Sequence, residues 1–508
     1  MSRQLSYQLF SLIKRLSKSE KRHFKLYASR NISEKEPLTI QLFDVFDKQK
    51  SYDEKKINSA LPKLKSNVLS NQKAHLYELL LGSLRLIHHN DPKIRIKELI
   101  SYADVLHIKG LYRQSLAQLQ KAKQLASSHK EDILRLEIIE LEKQIESRYV
   151  TRSHSERAEE LIKESKDLRH QFYFQGSWSD LSLSMYDYYL KSGHTKNEEE
   201  HKQIKKYFQQ NLPQESEADL IHAYQCYVWF YYITQDFVGC YKYARKWCDL
   251  YENDDTLIEN EPEMYMRGLH NALSALFYCD DVKRFRKELK VLKGFVDLRE
   301  KEFNENQMIQ SFIYLETAKL NLFFLEGKFS EGASYCKNLE EKMKENEGKL
   351  DVHRAMVFEY KMASLKFGSA DFQGAIRHLN FIINHPSLEL KEDIQCFARI
   401  LSLIAHYELG NDDLIDFQIK STYRFLLKLK DYQKVQSAIL NFLKKSVYMD
   451  RKQLTPDFIA LREELLVVLQ DPYERRPLLY LDLISWLESK IQNRPVELVI
   501  QEKKNKRA

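Results

Sequence analysis

Residues 103–126 read ADVLHIKGLYRQSLAQLQKAKQLA, and this stretch decides the fold. Apolar and small side chains recur at helical spacing on both sides of Lys109-Gly110, which predicts a helix, a tight turn and a second helix. Gly110 can adopt the positive φ that closes the first helix. The second helix carries a stripe that a neighbouring helix must cover, formed by Tyr112, Ser115, Leu119, Ala122 and Leu125.

The composition favours a chain made almost entirely of helices. Its 508 residues include only 13 glycines and 10 prolines, well below the usual proportions of about 7% and 5%. Folds rich in β-strands need frequent turns that contain these residues. The chain is also too long for one compact core, and no break in composition separates unlike domains. An array of repeated helix pairs accounts for both observations.

The pattern of helix, turn and helix recurs from about residue 91 onwards. Its clearest copies cover residues 224–250, 316–339 and 360–382, where a small residue follows the turn as Ser115 does. The pattern resembles the helical hairpin of tetratricopeptide-type repeats, although those repeat every 34 residues or so. The predicted turns are 40–47 residues apart, near Gly110, Ser153, Gly193, Gln235, Asp280, Gly327, Ala370 and Gly410.

This resemblance implies an all-α, right-handed superhelical solenoid of antiparallel helix pairs, and it implies a fold rather than a chemistry. We expect an N-terminal basic helical region at residues 1–90, the solenoid at 91–490 and a basic C-terminal tail at 491–508, with disorder over residues 502–508. Residues 191–219 and 253–262 are polar and predict hinges or exposed loops, of which exposed loops are favoured. The last hairpin is expected at residues 455–490, with its turn marked by Pro472 and Pro477.

The N-terminal region predicts helices of its own. Residues 5–30 form two helical pieces or one kinked helix, and Ser17 and Glu20 have the spacing of a capping box, which favours a restart there. Further helices are expected at residues 38–48, 52–61 and 72–88, and a loop at 31–37.

In tetratricopeptide-like stacks the first helix of each hairpin lines a groove. The resemblance therefore implies groove positions about three, six, ten and thirteen residues before each turn residue. Two interpretations of these side chains stay open: they are anchors for a bound peptide, or they are core residues between helices. Counting back from Gln235, Gly327 and Ala370 gives His222, Gln225, Trp229, Tyr232, Tyr314, Thr317, Asn321, Phe324, Val357, Tyr360, Ser364 and Phe367.

A second candidate surface is the basic N-terminus, where residues 1–30 hold eight basic residues and one acidic residue. A helix there would align five cations suited to phosphates or an acidic partner, namely Lys14, Lys18, Lys21, Arg22 and Lys25. The alternatives are a solvated face or a contact with acidic repeats of the same chain. No base-reading module is recognisable.

Motifs for catalysis, metals and membranes are lacking. Ser70 and Lys73 have SxxK spacing without the accompanying elements of serine-lysine enzymes, and the adjacent His88 and His89 point to different faces of a helix. Phosphate-binding loops, the nucleophile elbow and HExxH do not occur. The six cysteines form no CxxC pair and predict buried thiols in a reducing compartment, and no apolar run approaches the roughly 20 residues of a membrane span.

The sequence therefore predicts a cytoplasmic, non-enzymatic scaffold without cofactor or metal, which binds a protein or peptide partner in the groove. The alternative is a regulator that couples groove binding to nucleic-acid contact through the basic N-terminal helices.

Overall fold

In the computed structural model, the structure describes residues 3–30, 38–61, 66–148, 156–213, 220–385, 392–429, 434–446, 449, 453–471 and 482–507. Over these residues the chain is all-α, with one 3-10 turn and no strand, as the sequence predicts. Successive helices pack against one another in a repeat-like arrangement. The chain forms two compact units, Met1–Phe172 and Tyr173–Ala508.

Among its described residues the first unit contains three clusters of buried side chains, from residues 9–80, 96–145 and 139–168. Its helices are α1 (Arg3–Arg15), α2 (Lys18–Arg30), α3 (Leu38–Lys48), α4 (Glu54–Ala60), α5 (Ser66–Ile87), α6 (Pro92–Ile108), α7 (Tyr112–Ser128), α8 (Asp132–Arg148) and the first part of α9 (Arg157–Ser192).

The break between α1 and α2 is a capping box, as Ser17 and Glu20 predict. The Ser17 amide donates to the Glu20 carboxylate at 2.7 Å, and the Glu20 amide donates to the Ser17 hydroxyl at 3.2 Å. These two bonds satisfy amides that a helix N-terminus would otherwise leave unpaired. The predicted loop at 31–37 and the predicted turn at Ser153 lie outside the described residues.

The second unit continues the same scheme of helix pairs. Its helices after α9 are α10 (Glu198–Gln210), α11 (Leu220–Ile233), α12 (Phe237–Glu252), α13 (Asp255–Asn260), α14 (Pro262–Tyr278), α15 (Val282–Arg299) with a 3-10 turn (Glu300–Glu302), α16 (Glu305–Glu326), α17 (Phe329–Glu345), α18 (Val352–Gly368), α19 (Phe372–Ile383), α20 (Glu392–Leu409), α21 (Asp412–Leu429), α22 (Lys434–Ser446), α23 (Thr455–Val468), α24 (Leu483–Gln492) and α25 (Val496–Arg507).

The predicted turn residues adopt the left-handed conformation, including three that are not glycine. Gln235, Asp280 and Ala370 have φ values of 60°, 55° and 65°, close to the 66° of Gly327. At each of these four turns the amide of the next residue donates to the carbonyl five residues earlier, as Asp281 does to Leu276 at 3.1 Å. This bond is the one that closes a Schellman motif.

The residue after the turn also begins the second helix of the hairpin. Asp236, Asp281 and Asp371 each accept a hydrogen bond at 2.9 Å from the amide three residues further on. One aspartate thus closes the first helix through its amide and caps the second through its carboxylate. The two helices are therefore joined by only a few residues, which holds them side by side.

Three segments that were predicted as loops or tail are helices. Residues 191–219 contain α10, because Asn197 caps it and three glutamates occupy its first turn, where negative charge is favourable. Residues 253–262 contain α13, which Asp254 caps. The predicted disordered tail is α25, whose residues Val499 and Ile500 are buried. Pro472 and Pro477 lie outside the described residues.

Helix α25 packs against a hairpin turn far away in the sequence. Gln501 donates to the Gly327 carbonyl at 3.1 Å, and Lys504 pairs with Asp280 at 3.1 Å. The Glu497 carboxylate accepts from both the amide and the hydroxyl of Ser330, in the first turn of α17. The α16–α17 turn is therefore covered by a helix more than 160 residues further along the chain.

Candidate functional site

The first helices of successive hairpins in the second unit touch one another through side chains on one side. The Trp229 ring packs on Tyr189 of α9, and the Tyr232 hydroxyl lies 3.4 Å from that of Tyr278 on α14. The His270 ring of α14 stacks on Tyr314 of α16. These contacts define a surface that we call the first-helix face, formed by Tyr186, Tyr189, Trp229, Tyr232, Arg267, His270, Tyr278 and Arg354, with the buried ring of Tyr314 beneath it.

One end of the first-helix face is aromatic. The Trp229 ring centroid lies 5.1 Å from that of Tyr186, 5.5 Å from Tyr189 and 6.2 Å from Tyr232. Trp229 and Tyr232 are partly exposed, and 38% of Tyr186 is exposed. The predicted groove residues His222 and Gln225 are also partly exposed on α11. This end presents aromatic rings that can contact an apolar side chain.

The other end of the face is cationic. The His270 and Tyr314 rings stack with centroids 4.4 Å apart. Burial lowers the pKa of His270 to about 3, with added repulsion from the charges of Arg354, Arg267 and Lys361. Its imidazole is therefore neutral near pH 7. Among the described residues neither Arg267 nor Arg354 forms an ion pair, and both guanidinium groups are partly exposed.

Lys361 lies beneath this cationic end in the interior. It is 3% exposed, and its Nζ donates to Asn321 Oδ1 at 2.6 Å. Its ammonium also lies 5.3 Å from the Phe277 ring centroid and 5.8 Å from that of Phe324. Burial lowers the pKa of Lys361 to about 7, because an ammonium group loses its hydration there.

Half of the predicted groove residues are in the core rather than on a surface. Thr317 and Val357 are partly exposed, whereas the buried members are Tyr314, Asn321, Phe324, Tyr360, Ser364 and Phe367. The residues of α18 in this list are buried because later helices cover α18. Tyr360 lines an apolar cavity of about 20 Å³ together with Phe397 of α20, Val435 of α22 and Leu483 of α24. For these six residues the core interpretation applies.

Counting back from Gln235, Gly327 and Ala370 did not find the residues of the cationic end. The same count from Asp280 gives Phe277, Ser274, His270 and Arg267, so the turn spacing could have found Arg267 and the neighbouring His270. Lys361 and Arg354 precede Ala370 by nine and sixteen residues, outside the counted positions. A buried lysine in particular has no sequence signal, since lysine is normally exposed.

Three of the five predicted basic-face residues contact α3 of the same chain. Lys14 donates to the Asp47 carbonyl at 2.5 Å, and Lys21 pairs with the Asp47 carboxylate at 2.7 Å. Lys25 pairs with Asp44 at 2.7 Å. Lys18 and Arg22 are exposed. Contacts within the chain therefore engage Lys14, Lys21 and Lys25, although the partner is α3 of the N-terminal region and not an acidic repeat.

The motifs that resembled enzyme or metal sites have structural roles. Lys73 is buried and donates to Glu54 at 2.6 Å and to the Ser6 hydroxyl at 3.1 Å, so its amino group is engaged away from Ser70. The His88 ring pairs with Glu20 at 3.1 Å. Cys279 is exposed, contrary to the prediction of buried thiols, whereas the other five cysteines are buried.

Two searches of the described residues complete the description of the site. They contain no group of three or more histidine, cysteine, aspartate or glutamate side chains arranged to hold a metal ion. None of the helices described is both long and apolar enough to cross a membrane. Comparison of the chain with protein-family models gave no match, and no curated protein matched it at a significant level.

Proposed function

We propose that the protein is a non-enzymatic interaction scaffold that binds a peptide segment of a partner protein on the first-helix face. The observation that carries this proposal is the row of partly exposed rings at Tyr186, Trp229 and Tyr232, which contact one another across two helices. Tryptophan and tyrosine supply much of the binding energy in protein interfaces because they bury large rigid rings.

The form of the face favours a peptide over a compact small molecule. Small-molecule sites are concave pockets of about 300–1,000 Å³. The apolar cavity beside Tyr360 lies among core residues and is lined by none of the residues of the first-helix face. The first-helix face instead continues from α9 to α16 through contacts between neighbouring helices. Such a row matches the side chains of an extended or helical segment.

The regulator that also contacts nucleic acid remains the second candidate. It requires cations on α1 and α2 that are available to phosphates. The ion pairs of Lys21 and Lys25 with Asp47 and Asp44 reduce that availability. We therefore rank the scaffold first.

Site-specific photocrosslinking tests the proposal. A benzophenone amino acid placed at Trp229 of the full chain should crosslink a defined peptide segment in an extract of the native organism. The matched control is the same amino acid at Leu298, which is 81% exposed on α15. The captured segment, made synthetically, should bind the unmodified protein, and Trp229→Ala should weaken that binding at least tenfold. Equal crosslinking at both positions, or unchanged binding by the variant, would contradict the proposal.

A further inference from the structure

The cationic end of the first-helix face concentrates positive charge on two helices that flank a third. Arg267 lies on α14, one turn before His270, and Arg354 lies on α18; α16, which carries Tyr314, packs against both of these helices. Both arginines act electrostatically on His270 and on Tyr314. The two guanidinium groups therefore lie close to the same stacked pair of rings.

The nearest carboxylates along the same helices bond to other groups. Glu263, one turn before Arg267, accepts from Gln307 Nε2 at 2.8 Å, and Asp351, one turn before Arg354, accepts from the Arg354 backbone amide at 2.9 Å. By contrast, the half-buried Arg245 forms ion pairs with Asp249, Glu252 and Glu288. Within the described residues no carboxylate forms an ion pair with Arg267 or Arg354. The cationic end thus keeps two guanidinium groups that an incoming anion can reach.

The lowered pKa of His270 reflects, beside burial, the same excess of positive charge. The arginines and Lys361 all add to the lowering of the His270 pKa. A bound anion would offset the positive potential of these cations, so the arrangement favours anion binding. Arginine is suited to the task because its planar guanidinium donates two parallel hydrogen bonds to a carboxylate.

We infer that Arg267, His270 and Arg354 bind carboxylate side chains, so that the peptide segment taken by the first-helix face is acidic. The inference rests on the proposed function, since it names the chemistry of the peptide. Charge complementarity identifies the occupant, and the aromatic end around Trp229 provides contacts for an apolar residue of the same segment.

A peptide fits these observations better than a nucleic acid. Proteins that follow a phosphate backbone present rows of exposed lysine and arginine side chains. Here the positive charge comes from two arginines that are both only partly exposed, and not from such a row.

A set of labelled peptides tests the inference on the full chain. The probe is a fluorescein-labelled octapeptide with one tryptophan and six glutamates, and its matched control replaces the glutamates by glutamines. Fluorescence anisotropy should show that the glutamate peptide binds at least tenfold more tightly. Raising the salt from about 50 to 200 mM should weaken its binding, because ion pairs are screened.

Charge reversal locates the site. Arg354→Glu and Arg267→Glu should each weaken binding of the glutamate peptide more than tenfold. The control Arg377→Glu makes the same change in net charge at a side chain that is 65% exposed and pairs with Glu340 on another face, and it should change binding less than twofold. The milder Arg354→Gln and Arg267→Gln, checked by thermal melting, replace any charge-reversed variant that does not fold.

Three results would overturn the inference. In the first, the glutamate peptide binds no better than the glutamine peptide. In the second, Arg377→Glu weakens binding as much as Arg354→Glu does. In the third, a single-stranded RNA octamer binds more tightly than the peptide and loses that binding in Arg354→Glu, which would make this a phosphate site. If Trp229→Ala weakens binding of the crosslinked segment while both arginine variants retain it, the scaffold stands and the acidic specificity fails.

Discussion

Glu497 of α25 accepts a hydrogen bond from the Ser330 amide at 3.1 Å and so caps α17 from 167 residues away. The residue at the N-cap position of α17, Lys328, makes no side-chain capping bond. The neighbouring second helices α12, α15 and α19 each have an aspartate at that position. The distant glutamate therefore supplies what the local sequence of this hairpin lacks.

We expect Glu497→Ala to lower the free energy of unfolding by about 1 kcal/mol, the usual contribution of a helix cap. Denaturant unfolding of the full chain measures the change. Glu502→Ala is the matched control, because Glu502 lies on the same helix but pairs with Arg494 at the surface. An equal loss in both variants would show that Glu497 acts as an ordinary surface charge.

Gly327→Ala should destabilise the protein more than Gly348→Ala. Both glycines have positive φ, 66° and 79°, where a β-carbon costs roughly 1–2 kcal/mol. A β-carbon at Gly327 would also lie 3.3 Å from side-chain carbons of Ile500 and Gln501, whereas Gly348 has no neighbour within 4 Å. Thermal melting compares the two. The difference should shrink when residues 496–507 are deleted, and its persistence would rule out α25 as the cause.

The buried Lys361 should make stability rise with pH above neutrality. Its pKa is lowered to about 7 in the folded chain, from 10.5. Between these values the unfolded chain binds more protons, so the free energy of unfolding increases as pH rises from 7 towards 10.5. Lys361→Met should remove this dependence, while the exposed Lys242→Met should keep it. Urea unfolding at pH 7.0 and 8.5 measures the free energy of unfolding of each protein. The same change in this free energy between the two pH values for wild type and Lys361→Met would contradict the prediction.

Trp229→Ala should affect stability far less than Trp247→Ala. Trp247 is 1% exposed in the core of α12, and its loss should cost about 3–5 kcal/mol. Trp229 is partly exposed on the first-helix face, so its truncation leaves a smaller cavity. Differential scanning fluorimetry provides the comparison. A similar drop in melting temperature for both would place Trp229 in the core and argue against its role as an anchor.

The affinity of the N-terminal helices for nucleic acid should depend only weakly on the salt concentration. Lys18 and Arg22 are exposed, whereas Lys21 and Lys25 pair with carboxylates. We expect a slope of log affinity against log salt no steeper than about −2 for a 20-base-pair DNA. A slope near −4 that disappears in a Lys18→Ala, Arg22→Ala double variant would support the regulator instead.

The turns could be predicted from the sequence because their determinants are local. Gln235, Asp280 and Ala370 were placed by the period of the apolar pattern, and an aspartate follows each of them to cap the next helix. The capping box at Ser17 and Glu20 is equally local. Hydrogen bonds between residues three to five positions apart are fixed by the chain itself, whatever packs around it.

The candidate site could be predicted only in part, because exposure depends on distant helices. Tyr360 and Trp229 both lie at counted positions on first helices, yet α20, α22 and α24 cover only Tyr360. The packing of α25 against Gly327 is another contact that no local sequence pattern encodes. Periodicity identifies which side of a helix is apolar, and it does not identify which later helix covers that side.

The contact between Glu497 and Ser330 changes how the second unit can come apart. In a linear repeat array each hairpin touches only its neighbours, so the ends fray while the middle persists. Here the bond joins two points of the chain 167 residues apart. Opening of α17 must therefore accompany release of α25, and amide hydrogens in both helices should exchange with solvent in one concerted event rather than in sequence from a free end.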